Sequence, residues 1–149
     1  MLLFVHTIVG AAIGASTDQP LWAFLLGWFS HHLLDMIPHF DRGSFYVKKF
    51  RPPYLGGRRE QTPQAWLSRA EWFLVLGDLS LALSVFLFFI VRFYPNQALS
   101  VFAGVSGGVL PDFIGAWLFW FPKLRKKLAF LNKYDNWHSY FHWTWPVSR

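Results

Sequence analysis

Residues 72–94 form a run of roughly 23 residues in which only Asp78 and Arg92 carry charge. About 20 consecutive apolar residues cross the hydrocarbon layer of a bilayer as a helix, so this run constrains the fold more than any motif does. In that layer each backbone N–H and C=O must be satisfied within the protein, which a helix does by itself. Arg92 lies near the end of the run, where a long side chain reaches the interface. A second run, 98–121, contains Gly104, Gly107, Gly108, Pro111 and Gly115, with a kink expected near Pro111. Two shorter apolar segments come first. Residues 2–16 are rich in Gly and Ala, which lets helix backbones approach closely. Residues 21–37 follow a polar turn in which Asp18 can cap and Pro20 suits a first helical turn, and Pro38 disfavours helical geometry at Ile37. Residues 1–16 lack a basic start and are read as mature chain, not as a cleaved signal.

The composition agrees with a lipid-facing surface: 54% of residues are hydrophobic and 21% aromatic, whereas soluble domains reach about 45–50% apolar only when Gly is counted. The predicted fold is therefore all-α, one membrane-embedded domain of four helices (2–16, 21–37, 72–94, 98–121). A long basic loop at 42–70 and an aromatic tail at 122–149 complete it. Of the Lys and Arg residues, seven lie in 42–70 and five in 122–133, while the short turns 17–20 and 95–97 have none. Because cytoplasmic loops carry the excess of Lys and Arg, both termini and the long loop are expected on the cytoplasmic side of a prokaryotic inner membrane. The basic loop reads as a topology signal and a contact for lipid headgroups, not as a nucleic-acid site.

Residues 27–41 end the second segment with His31, His32, His39, Asp35 and Asp41. On the topology above, His6, Glu71, Asp78, Asp112, His138 and His142 all fall at that same side. Ionisable groups inside membrane segments are rare and default to a functional hypothesis. His31 and Asp35 are four apart and share a helix face. Adjacent His31 and His32 point about 100° apart, so one of the two is expected to face the site. In the tail, Asp135, His138 and His142 repeat a helical spacing. With no Cys in the chain, a metal must be held by imidazole and carboxylate, which suits zinc or another divalent first-row ion. Each residue also has a plainer reading. His6 can bond a neighbouring helix, Asp78 can pair with an Arg, Asp112 can cap a helix restarting after Pro111, and the tail histidines can be interfacial.

An N-terminal His in a small-residue helix (His6), Gly-x-x-Ser-His-x-x-x-Asp followed by Pro-His (Gly27, Ser30, His31, Asp35, Pro38, His39), and Gly-x-x-Pro-Asp (Gly108, Pro111, Asp112) together resemble the small membrane-bound metal-dependent hydrolases of prokaryotes. The His-x-x-x-Asp-x-x-x-His pattern is also similar to that of zinc-dependent phospholipase C proteins. In this chain the Pro-Asp segment follows the Ser-His segment, and Phe113-Ile114 stand after Asp112. The resemblance implies a divalent-metal site, zinc by preference, that activates water against a phosphodiester or lipid headgroup. The expected ligands are His6, His31, Asp35, Asp78, Asp112, His138 and His142. His39, Asp41 and Glu71 are the expected acid, base or orienting groups. The rival readings are a non-enzymatic membrane protein whose His/Asp cluster holds the helices together, and a transporter. Transport is disfavoured, because beyond Asp78 the third run offers only Ser80 and Ser84, and the fourth Ser100 and Ser106.

Overall fold

A computed structural model describes residues 3–37, 69–93, 96–120 and 127–138. Among these residues the chain forms five helices and no strand: α1 (Leu3–Ala15), α2 (Pro20–Asp35), α3 (Arg69–Phe93), α4 (Ala98–Trp120) and α5 (Ala129–His138). Two stretches, Trp72–Phe93 of α3 and Ala98–Ala116 of α4, are long and apolar enough to cross a membrane. The third helix begins at Arg69, so residues 69–70 are helical and not part of the expected loop. The aromatic tail contributes a helix of its own, α5. Residue 111 lies inside α4, which runs through the proline without ending. Asp112 is therefore mid-helix and does not cap a new start.

α4 contacts each of the other four helices. Its glycines allow this. A Cβ on Gly10 of α1 would lie 2.5 Å from the carbonyl oxygen of Gly104, and Gly104 also meets Gly27 of α2. Gly107 abuts the backbone at Phe24 and Trp28. Backbone touches backbone at these points, so no side chain has room there. Below this contact Ala11, Val101 and Val105 form the buried apolar cluster, with Phe86, Phe89, Ile90 and Phe93 of α3 against it. The outer faces of α2 and α3 expose large apolar side chains, among them Leu21, Trp22, Phe29, Phe73, Phe88 and Val91. In water such a surface is a liability, and in lipid it is the ordinary outer face of a helix.

The pairings His6–Gly108, Gly10–Gly104 and Gly14–Ser100 make α1 antiparallel to α4. At the far end, Gln19 is the N-cap of α2 without a side-chain hydrogen bond. Asp18, expected to cap that helix, instead accepts a hydrogen bond of 3.4 Å from Gln97 Nε2, tying the two short turns together. The start of α1, the end of α2 and the second half of α4 consequently meet at the opposite end of the molecule.

Candidate metal centre

Three helices and α5 deliver buried ionisable side chains to that end. His6 stands one turn into α1, His31 and Asp35 occupy the last turn and a half of α2, Asp112 follows Pro111 in α4, and His138 closes α5. The side chains of His6, His31 and Asp35 are completely buried, His138 is nearly so, and that of Asp112 is 29% exposed. One donor atom from each of His31, Asp35, Asp112 and His138 lies within 4.8 Å of the others, a group able to hold a metal ion. His6 adjoins it, with its ring stacked on that of His31 at a centroid distance of 4.0 Å.

The donor chemistry can be read atom by atom. His31 Nδ1 lies 2.6 Å from the carbonyl oxygen of Gly108. A carbonyl only accepts, so Nδ1 carries the proton and, in the neutral ring, Nε2 holds a lone pair. That nitrogen is 3.1 Å from Asp35 Oδ2 and 3.9 Å from Asp112 Oδ1, yet it makes no hydrogen bond. Neither ring nitrogen of His6 makes one either, although Nε2 is 3.4 Å from Asp35 Oδ1 and 3.9 Å from Asp112 Oδ2. His138 Nε2 stands 3.7 Å from Asp35 Oδ2. Two donors each about 2.1 Å from a tetrahedral ion lie roughly 3.4 Å apart. The observed separations bracket that edge length. Buried ring nitrogens without hydrogen bonds are costly, and imidazole nitrogens and carboxylate oxygens converging at these separations suit the ligands of one cation. The residues present fit a divalent ion bound by nitrogen and oxygen.

Outside this His/Asp group lies a hydrogen-bonded aromatic layer. Trp28 Nε1 donates to Tyr134 Oη at 2.8 Å, Tyr134 Oη is 3.5 Å from His32 Nε2, and His32 Nδ1 is 3.3 Å from His138 Nδ1. Burial pushes the Tyr134 phenol above its ordinary pKa, so it keeps its proton at neutral pH. His32 thus faces α5 while its neighbour His31 faces the centre, the division that the 100° helical step requires. By holding His138 Nδ1, His32 leaves His138 Nε2 directed to Asp35, the way an outer partner orients a ligand imidazole. No sequence pattern links Trp28 to Tyr134, which are far apart in the chain.

Asp78 occupies a different place. Its two carboxylate oxygens accept hydrogen bonds from the backbone N–H groups of Leu3 (2.8 Å) and Phe4 (3.1 Å). These are unpaired donors at the start of α1, where the helix dipole also favours a negative charge. The expected ligand is thus a cap supplied by another helix. Asp78→Ala is expected to lower stability by about 1–2 kcal/mol, as loss of a cap does, while leaving bound metal per chain unchanged. Thermal unfolding and elemental analysis of the same preparation check both halves. Of the other expected site residues, His39, Asp41 and His142 lie outside the described residues. Glu71 belongs to the first turn of α3, with its side chain outside them. Compared with family models, curated proteins and solved structures, the chain gives no match in any of the three.

Proposed function

We propose that this chain is a multi-pass membrane protein of four crossing helices with a His/Asp divalent-metal centre at its cytoplasmic face, and that it acts as a metal-dependent hydrolase. One observation carries the metal reading: His31 Nδ1 is held by the Gly108 carbonyl, and its Nε2 stands buried beside the Asp35 and Asp112 carboxylates without a hydrogen bond. A bound divalent ion would supply a water molecule acidic enough to ionise near neutral pH and positive charge for a developing oxyanion. His31, Asp35, Asp112 and His138 would hold the ion, His32 would orient His138, and the partly exposed Asp112 marks the side from which a substrate reaches the centre. A phosphodiester or lipid headgroup suits a site at this depth, and the basic residues of 42–70 and 122–133 favour an anionic one. The exposed apolar faces of α2 and α3 support the crossing of more than the two longest helices.

The complete burial of His31 and Asp35 favours a second reading, in which the ion only joins α2, α4 and α5. Metal analysis of purified protein separates these from a metal-free cluster. At least one divalent ion per chain is expected, with His31→Ala lowering affinity by at least about 100-fold, beyond the 10–100-fold typical of losing an outer partner. Absence of bound metal in the wild type, after reconstitution with zinc or manganese, refutes the centre. Metal binding without turnover of phosphodiester or ester substrates selects the structural reading.

A further inference from the structure

Asp35 and Asp112 each divide their two oxygens between different imidazoles. The Asp35 oxygen facing His6 Nε2 is Oδ1, at 3.4 Å, whereas those of His31 and His138 face Oδ2, at 3.1 and 3.7 Å. Asp112 divides likewise, with Oδ2 toward His6 and Oδ1 toward His31, both at 3.9 Å. The donors therefore sort into two sets. His31 Nε2, His138 Nε2, Asp35 Oδ2 and Asp112 Oδ1 supply four atoms, enough for a complete tetrahedral shell. His6 Nε2, Asp35 Oδ1 and Asp112 Oδ2 supply three on the other side of the same carboxylates.

His6 is the independent witness. It stands outside the four-residue group, is 1% exposed, and has no hydrogen bond at either ring nitrogen. A single ion held by the first set leaves both nitrogens of this buried imidazole without a hydrogen bond. Its ring stacks on His31 at 4.0 Å, and ions in two-metal sites are spaced about 3.5–4 Å apart. Rings stacked at that spacing would let each Nε2 serve a separate ion.

We infer that the centre is dinuclear, with one divalent cation on His31 and His138, a second on His6, and Asp35 and Asp112 bridging the two. This rests on the metal-centre reading above. Two cations so held would supply positive charge to both the attacking and the leaving oxygen of an in-line displacement, as in phosphatases and nucleases, which favours a phosphate ester as substrate. The test uses the purified full-length chain, stripped of metal and titrated with Mn²⁺. Two equivalents per chain are expected at saturation, with an electron paramagnetic resonance spectrum of exchange-coupled ions. His6→Ala is expected to retain one equivalent and lose the coupling. A wild type that saturates at one equivalent with an uncoupled spectrum overturns the dinuclear assignment and leaves the metal centre standing. No binding overturns both. If His6→Ala does not fold, the wild-type stoichiometry and spectrum decide by themselves.

Discussion

Asp35→Ala is expected to abolish metal binding and to destabilise the protein by about 3–5 kcal/mol, the cost of removing one partner from a buried charged cluster. The carboxylate lies within 4 Å of His6, His31 and His138 at once, so its loss strips a shared partner from three buried imidazoles. Asp35→Asn keeps the shape and one carbonyl oxygen but loses the charge. It is expected to retain most of the fold and still lose metal, at least about 100-fold in affinity, more than an outer-shell loss gives. Metal content and unfolding in detergent, measured on both variants, separate the two contributions. An Asp35→Ala protein that binds metal at wild-type affinity would remove Asp35 from the centre.

The second large effect belongs to a residue with no side chain. Gly104→Ala is expected to cost at least about 3 kcal/mol, the upper end for overpacking, because the added methyl meets the backbone of Gly10 and Gly14 on α1. Main chain cannot swing aside as a flexible side chain can. The helices must part, and His6 then moves away from Asp35 and Asp112, so metal affinity is expected to fall together with stability. Gly77→Ala is the control. A Cβ there meets nothing within 4 Å, and the substitution is expected to stabilise α3 by up to about 1 kcal/mol. Equal stability of the two variants would refute close backbone packing as the frame of the site.

The helices were legible because apolar run length and proline punctuation act within a single segment. Spacing likewise brought out His31 and Asp35, since a shared helix face is a local property. What was not legible depends on contacts between segments. Asp78 has the composition of a ligand, and only the placement of the α1 terminus beside it makes it a cap. Nothing in the fourth run named partners for its glycines, while the structure uses Gly104 and Gly107 for close approach to α1 and α2. The tail was read as aromatic, with Asp135 and His138 at a helical spacing; His138 indeed ends a helix whose inner face buries Asp135 and His138 and whose outer face exposes Phe130 and Trp137. That short helix, with its mix of aromatic and basic residues, carries no apolar run to announce it.

The cap that Asp78 places on α1 has a consequence for height. With 13 residues, α1 is about 20 Å long at 1.5 Å per residue, against a hydrocarbon layer of about 30 Å. A helix that short is not held at one level by matching its own length to the lipid. On the membrane reading proposed above, the carboxylate on the longer α3, which accepts from the Leu3 and Phe4 amides of α1, would act as its depth stop and set, one turn further on, the level of the His6 imidazole.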